Sequence, residues 1–436
     1  MSRAMKYSGI PWIEEIPNNW QVVKLRNLGC FTASGIDKTI VDGEELIRII
    51  NYVDVYNNTS LELLEKDYMV VSAPSFKCKE HQVEIGDMIY TPSSETIEDI
   101  GISSVVMEQL PNTAYSYHVI RFRCKEDTIS LRFRKYITNN HLCRNYFSSC
   151  ATGTIRKTIS RDVFKECRVL LPPIHEQKAI ADYLDKKCAE IDELILLQEK
   201  IIEELTAYKQ SILREAITKG LNPDVSFRES GIDWIGKIPE QWEIIQFRRL
   251  FSIKKIIAGE LGYNVLSVTQ SGIKKKDLSK NEGQMAQDYS KYQLVDIDDY
   301  VMNHMDLLTG YIDCSNQVGV TSPDYRVFSA INKSSLSLSY YLRVFQICYK
   351  DKIFYHLGQG VSDVGRWRLP AEQLKLFYLP KPPKIEQERI SRYLDEKCSE
   401  IDKMISIKQS KIETLKEYKK SIIYECVTGK KDVYGN

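Results

Sequence analysis

The chain has 436 residues, 43% hydrophobic and 27% charged, with 60 Lys and Arg against 59 Asp and Glu. That length predicts two or three domains, the composition excludes wholesale disorder, and a formal net charge of +1 excludes a uniformly basic nucleic-acid coat. Any grip on phosphate must come from local Lys/Arg clusters or from a more basic partner. The eleven cysteines are scattered and form no Cys-x-x-Cys pair, which predicts free thiols in a reducing cytoplasm rather than a disulfide framework. Cys78 and His81 have zinc-like spacing, yet no second pair completes a four-ligand set, so no metal is expected. The first residues lack the apolar core of a signal peptide, and no apolar run approaches the roughly 20 residues of a membrane span. A cytoplasmic protein without membrane contact is expected.

In chain order, residues 8–28 read SGIPWIEEIPNNWQVVKLRNL, and residues 230–250 repeat them as SGIDWIGKIPEQWEIIQFRRL. Ser8, Gly9, Ile10, Trp12, Ile13, Ile16, Pro17, Trp20, Arg26 and Leu28 all recur at an offset of 222. Two tryptophans kept in step, in a chain with five, mark an internal duplication.

An insert follows, about 29–170. Ile47–Tyr52, Met88–Thr91, Ser103–Met107 and His118–Arg123 have strand composition, Gly86-Asp87 sets a turn, and Leu131–Phe147 reads as helical. Its polar and basic loops offer Lys77, Lys79, Ser93, Ser94, Thr96, Thr152, Thr154, Arg156, Lys157 and Arg161, residue types that grip phosphate or read base edges.

Residues 176–218 contain neither Pro nor Gly and carry apolar residues at heptad spacing: Leu184, Ile191, Leu205 and Ile212, with Gln198 interrupting. Leu194, Ile201 and Tyr208 form a neighbouring column. This predicts a long helix of coiled-coil type, roughly 65 Å at about 1.5 Å per residue. Pro172-Pro173 precedes it and Gly220 ends it.

After the second frame, the second insert (about 251–380) shows little identity to the first. Tyr263–Thr269, Tyr300–Asn303 and Val318–Thr321 read as strands, Asp298-Asp299 as a turn and Leu338–Tyr355 as helix. Its candidate contacts are Lys274, Lys275, Lys276, His304, Gln359, Ser362, Arg366 and Arg368. A second long helix then repeats the first at an offset of 210, with Leu394, Ile401, Leu415 and Ile422 in the seam and Lys408 interrupting, beside Met404 and Tyr418.

Plain drift after duplication would erode frame and insert evenly. A kept frame around two dissimilar inserts points instead to one partner docked twice and two different things read. If the helices pair antiparallel, Leu184 lies beside Ile422, Ile191 beside Leu415, Gln198 beside Lys408, Leu205 beside Ile401 and Ile212 beside Leu394. The periodicity alone allows a parallel pair as well; a globular insert between the helices and a twofold duplication favour the antiparallel one. The polar layer would then set register at some cost in stability.

These frame residues resemble the specificity subunits of type I restriction-modification enzymes. Ile16-Pro17-x-x-Trp20-x-x-x-x-Leu25 and Ile238-Pro239-x-x-Trp242 resemble the segment before each target recognition domain. Leu170-Leu171-Pro172-Pro173-Ile174-x-Glu176-Gln177-x-x-Ile180-x-x-x-Leu184-Asp185, with its copy from Leu379-Pro380 through Glu386-Gln387, Ile390 and Leu394-Asp395, resembles the start of the conserved helices. Tyr208-Lys209-Gln210-Ser211-Ile212 and Thr218-Lys219-Gly220-Leu221 resemble their end, and Asp299 to Gly310, with Asn303, His304, Met305 and Asp306, resembles a stretch inside such domains. The second helix start, Pro380-Lys381-Pro382-Pro383-Lys384-Ile385, is slightly longer than the first. Thr91-Pro92-Ser93-Ser94-Glu95-Thr96-Ile97-Glu98 carries acids where relatives often have Gly or a basic residue.

The resemblance implies an α+β chain: two mixed α/β target recognition domains separated by two long antiparallel coiled-coil helices, with an internal pseudo-twofold repeat. The expected division is 1–174, first recognition domain; 175–220, first helix; 221–383, second recognition domain with a linker at 221–228; and 384–436, second helix and tail. It implies a partner set of double-stranded DNA, two methyltransferase subunits and two motor-nuclease subunits. It places S-adenosylmethionine, ATP and magnesium in those partners, with no cofactor and no catalytic residue in this chain. A modification-only adenine methyltransferase complex would use the same chain; a coiled-coil scaffold with two peptide-binding domains and no DNA affinity, and an enzyme with an unrecognised nuclease site, are the rivals outside this class.

Catalytic motifs are not found. Asn222-Pro223-Asp224-Val225 lacks the second proline and the aromatic of an adenine methyltransferase motif. Gly231 to Gly236-Lys237 has Ile238 where a phosphate loop needs Ser or Thr, and Gly358-x-Gly360 with Gly365 is too loose for a dinucleotide site.

A rigid spacer between two readers makes the unread gap a fixed length, and half-sites about one turn apart, roughly 34–36 Å, lie on one face of DNA. Deleting seven matched residues from both helices is therefore expected to change the permitted gap and leave the bases read unchanged. Methylome mapping of the variant checks this; an unchanged gap refutes it.

Overall fold

The two copies of the opening motif fold alike because their apolar positions fall alike. A computed structural model describes residues 3–10, 13–125, 128–277, 288–360 and 367–433. By contact the chain divides into unit 1, Met1–Glu199 with Ser410–Asn436, and unit 2, Lys200–Gln409.

In unit 1, Met5–Tyr7 pairs antiparallel with Glu15–Pro17, and Gln21–Lys24 pairs with Arg168–Leu171. In unit 2, Phe227–Glu229 pairs with Lys237–Pro239, and Glu243–Gln246 with Tyr378–Lys381. In each case a strand of the frame closes on the strand that leads into a long helix.

The inserts differ. Unit 1 holds a five-stranded sheet, in order Gly29–Thr32, Ile120–Cys124, Met88–Tyr90, Ser103–Val106 and Glu62–Leu63, antiparallel except for the last pair. A second sheet orders Thr113–Tyr115, Glu45–Ile50 and Met69–Ala73. Unit 2 holds a four-stranded antiparallel sheet, in order Phe251–Lys254, Arg326–Ala330, Tyr300–Met302 and Ile312–Cys314.

The turn before each central strand anchors a buried carboxylate. Arg123 clamps Asp87 through Nε (2.8 Å) and Nη2 (2.6 Å), while Lys254 holds Asp299 at 2.8 Å. Both carboxylates are buried, so each needs that cation close by. The expected helix at Leu131–Phe147 is split into Arg134–Ile137 and His141–Ser149, because the Asn140 side chain accepts the amides of Leu142 and Cys143 and starts a new helix. The expected Leu338–Tyr355 helix ends at Lys350, where Lys352 turns to φ 55°.

The long helices run Ile174–Lys219 and Lys384–Val427, and they pack together antiparallel. Within unit 1, Lys419 Nζ lies 2.7 Å from Asp192; within unit 2, Lys209 Nζ lies 2.6 Å from Asp402. These are repeat-related residues with their roles exchanged. Each unit thus takes the first half of one helix and the last half of the other, as an antiparallel pair requires.

Of the heptad positions, Leu184, Ile191, Gln198, Leu394, Ile401 and Ile422 are buried, while Leu205, Ile212, Lys408 and Leu415 are half-buried. Gln198 Oε1 has no hydrogen-bond partner among the described residues. In the neighbouring column Leu194, Tyr208, Met404 and Tyr418 are exposed and Ile201 is half-buried. The buried face instead takes Cys188, Leu213, Ala216 and Ile217 from the first helix and Cys398, Ile412, Ile423 and Cys426 from the second. A helix that also packs on a domain needs a wider apolar stripe than a two-helix seam.

A polar clamp joins frame and helix in each unit. Trp20 Nε1 donates to Glu176 at 2.8 Å, and Trp242 Nε1 donates to Glu386 at 3.0 Å. Asn19 and Arg3 also donate to Glu176. Gln177 Nε2 donates to the Pro172 carbonyl (2.9 Å) and its Oε1 accepts the Ser130 amide (2.8 Å). Gln387 does the same with Pro382 and Ser337, both at 2.8 Å. The glycine ending the opposite helix closes the seat. At Gly429 (φ 73°) a Cβ would stand 2.5 Å from Pro17 and 3.4 Å from the Trp20 ring; at Gly220 (φ 78°) it would stand 3.1 Å from Trp242.

Burial pushes the Glu176 carboxyl up, but its bonds from Trp20, Arg3 and Asn19 together outweigh that and hold it below the usual 4.5. Such a carboxylate stabilises the fold above its unfolded pKa, and the contribution is lost as pH falls through the lower folded value. Glu176→Gln is expected to lower stability by about 1–3 kcal/mol at neutral pH. The gap to wild type should shrink as pH falls below 4.5. Urea denaturation at a series of pH values checks this; a gap that widens toward acid refutes it.

Candidate nucleic-acid interface

In unit 1 the strand Met88–Tyr90 runs out into the polar stretch 91–98. A hairpin closed by the Thr152–Thr158 bridge folds against it, pairing Lys157 with Ser94 and Thr158 with Ser93. The Ile159 amide donates to the Pro92 carbonyl at 2.9 Å and locks the two loops together. Gly153 is required at the turn: its φ is 106°, and a Cβ there would lie 2.2 Å from the Arg156 carbonyl oxygen.

Arg156 Nε donates to Ser93 Oγ at 3.2 Å, and its guanidinium sits 5.3 Å from the centre of the Tyr52 ring. Tyr52 stacks on Tyr56 at 5.1 Å and 17°. Tyr56 and Thr96 both donate to Asp99 Oδ2, at 2.8 and 2.6 Å. Burial pushes the Asp99 carboxyl up, yet the Thr96 and Tyr56 hydroxyls bring it below its ordinary value, so it stays an anchoring anion. The bond to Asp99, with burial, pushes the Tyr56 phenol up to about 12. Beneath the loop, Arg144 Nη2 donates to the Glu98 carbonyl at 2.6 Å, and burial lowers this guanidinium to about 10.

The structure therefore gathers Ser93, Ser94, Thr96, Thr154, Arg156 and Lys157 at one braced pair of loops. Lys157 Nζ is spent on the Gly153 carbonyl at 2.7 Å. Arg161 opens the next short helix, Arg161–Glu166, and is exposed there. Lys77 and Lys79 sit on a separate short helix, Ser75–Glu80, where Lys77 Nζ holds the Gly35 carbonyl at 3.0 Å. His118, its ring tilted 35° against that of Tyr117 with centroids 3.8 Å apart, was not singled out from sequence; burial lowers its pKa, with Lys38 and Arg156 adding to the shift. Tyr52 and Tyr56 were also missed, although their four-residue spacing is the mark of one helix face.

Unit 2 repeats the platform with different side chains. Tyr300–Met302 leads into Asn303 and His304, Gln359 and Arg368 form an antiparallel bridge, and the Leu369 amide donates to the His304 carbonyl at 2.9 Å. Burial lowers His304 to about 3, helped by Arg326 and Arg368, so the ring is neutral; its Nδ1 has no partner among the described residues. Arg326 is buried, donates to the Leu369 carbonyl at 2.9 Å, and is lowered to about 10 by that burial. Gly358 and Gly360 admit the Trp367 ring, which a Cβ would approach to 3.3 and 3.0 Å.

His304, Gln359 and Arg368 thus come together, while Ser362 and Arg366 lie outside the described residues. Lys274 and Lys275 are exposed on a different hairpin, Leu266–Thr269 with Gly272–Lys275, and Lys276 follows it. A guanidinium fork beside hydroxyls in unit 1, and an imidazole, an amide and a guanidinium in unit 2, are two distinct donor and acceptor sets suited to base edges.

The residues that suggested other chemistry take structural places. Cys78 Sγ reaches the Ala73 carbonyl at 3.5 Å, and His81 Nδ1 lies 3.3 Å from the Tyr115 hydroxyl. Gly231 to Gly236 is the turn between two short antiparallel strands, not a loop opening a helix.

Residues 17–207 match the model of the type I restriction modification DNA specificity domain family. Over 427 residues, 96% of this chain and 95% of the relative, the sequence is 23% identical to the putative type I restriction enzyme MjaX specificity subunit of Methanocaldococcus jannaschii. A chain solved in work on complex assembly and conformational transition of the type I R-M system is similar in fold, with TM-score 0.69 and 13% identity over 95% of this chain and 99% of that one. The HsdS subunit from Thermoanaerobacter tengcongensis gives TM-score 0.51 and 14% identity over 95% of this chain and 98% of that one.

The Gly153 geometry carries a structural prediction. Gly153→Ala is expected to open the Thr152–Thr158 bridge, since the left-handed backbone and the Arg156 carbonyl both oppose a Cβ. Exchange of the peptide spanning 151–159, followed by mass spectrometry, should speed by about tenfold or more, with exchange elsewhere unchanged. Unaltered protection refutes it.

Proposed function

We propose that this chain, which belongs with the specificity subunits of type I restriction-modification enzymes, reads a bipartite, asymmetric DNA site and carries the subunits that act there. One observation carries the reading. The same amide-to-carbonyl bond, Ile159 to Pro92 and Leu369 to His304, holds the same two loops together in both units, yet the side chains on those loops differ. A kept platform with changed reading groups suits two different half-sites.

Phosphate contacts from exposed Lys and Arg position the units, and the groups on the paired loops discriminate bases. The repeat-related exposed residues Leu194 and Met404, Leu197 and Ile407, and Tyr208 and Tyr418 supply equivalent apolar surfaces for two methyltransferase subunits. Motor-nuclease subunits join through that assembly. S-adenosylmethionine, ATP and magnesium belong to those partners, and this chain contributes address rather than chemistry.

The test is methylome sequencing of cells expressing the methyltransferase partner with and without this chain. Adenine methylation at one split motif, lost when this chain is absent, is the expected outcome. Unchanged methylation, with the partner proven active, overturns the reading in favour of a scaffold that does not touch DNA.

A further inference from the structure

The tip of the unit 1 hairpin carries a residue that the polar reading above leaves out. Ile155 is 92% exposed, against 70% for Leu261, the next most exposed large hydrophobic among the described residues. A lone exposed apolar side chain is ordinary on a surface. What sets this one apart is the effort made to hold it there. The hairpin is closed beneath it by two amide-to-carbonyl bonds between Thr152 and Thr158, at 3.0 and 2.8 Å. Gly153 takes a conformation that a side chain would break. On the other side Arg156 is pinned by Ser93 and the Tyr52 ring, and Lys157 by the Gly153 carbonyl. An apolar group thus projects from a braced tip with two cations next to it in sequence. That combination does not suit water, an apolar protein groove or a lipid surface as well as it suits a duplex groove, where the polyanion favours the positive charge around the tip and one apolar feature waits on the base edge.

We infer that Ile155 reads DNA by seating on the 5-methyl group of a thymine in the major groove of the half-site bound by unit 1. The inference rests on the DNA-reading role proposed above. In the major groove the thymine methyl is the apolar mark that distinguishes A·T from the other pairs, and a short aliphatic side chain is its natural partner. Ile155 adds an apolar contact to the polar readout of Ser93 and Arg156, above the buried Ser94, and makes this half-site sensitive to a methyl group as well as to donors and acceptors. The contact costs little in the free protein, because a braced tip has little conformational freedom left to lose on binding.

The test uses the chain assembled with its methyltransferase partner and duplexes carrying the split site identified by methylome mapping. Each thymine of each half-site is replaced singly by uracil, which deletes only the 5-methyl group. For the wild type, one uracil in the unit 1 half-site is expected to weaken binding about fourfold, the value of one buried methyl group. Ile155→Ala, at a position too exposed to perturb folding, should bind the thymine duplex about as weakly and be indifferent to that uracil. Uracils in the other half-site should act equally on both proteins. Uracil effects at every position that are the same for wild type and Ile155→Ala overturn the inference. So does a half-site without thymine, or an Ile155-dependent brightening of 2-aminopurine, which would mark a wedge that unstacks bases. If the wild-type assembly fails to bind the split-site duplex at all, the DNA-reading role falls with it.

Discussion

The bond from an indole to a glutamate at the start of a long helix is the constraint on which the rest of each unit depends. Trp20 to Glu176 and Trp242 to Glu386 tie the opening motif of a copy to the helix that leaves that copy. The glycine packed against each indole ends the other helix. One buried polar contact therefore brings together three segments far apart in the chain. Because the indoles are fully enclosed, their N–H groups need an acceptor, and the carboxylate is the one that also fixes the helix start.

That arrangement makes each unit draw on both long helices. Unit 1 needs the end of the second helix to complete its core, where Ile422, Ile423, Cys426 and Val427 pack with Leu184 and Ile191. Unit 2 needs the end of the first, where Leu213, Ala216 and Ile217 pack with Ile390 and Leu394. The helices are therefore more than spacers. They are buried on one side as domain elements, and the Lys419–Asp192 and Lys209–Asp402 pairs repeat the same register in both units.

On this frame the paired loops are free to change. Their backbone is held by main-chain bonds that any side chain permits, such as Ile159 to Pro92 and Leu369 to His304. The side chains above that bond carry no part of the core, so Ser93 and Arg156 in one unit and Gln359 and Arg368 in the other differ without cost to the fold. The half-buried, neutral His304 is the exception, since part of its ring lies inside unit 2 and its surroundings are cationic.

The duplication, the long helices and the strands around Met88 and Tyr300 were legible in the residues, because repeats, heptads and β-branched runs are local patterns. The Trp–Glu clamps were visible only as recurring letters, since nothing local says which acceptor an indole will find more than a hundred residues away. Likewise the choice of Ser93, Ser94, Thr96, Thr154, Arg156, Lys157, His304, Gln359 and Arg368 came from residue type, whereas their gathering into one pair of loops per unit came from sheet topology. The same topology sent Lys77, Lys79, Lys274 and Lys275 elsewhere and brought in Tyr52 and His118. Sequence by itself determined the kept frame, the two unlike inserts and the helical repeat, because these are written in spacing along the chain. Only the tertiary structure decided which helix halves share a core and which polar residues share a surface, because burial and pairing are settled by contacts between segments that the chain order keeps apart.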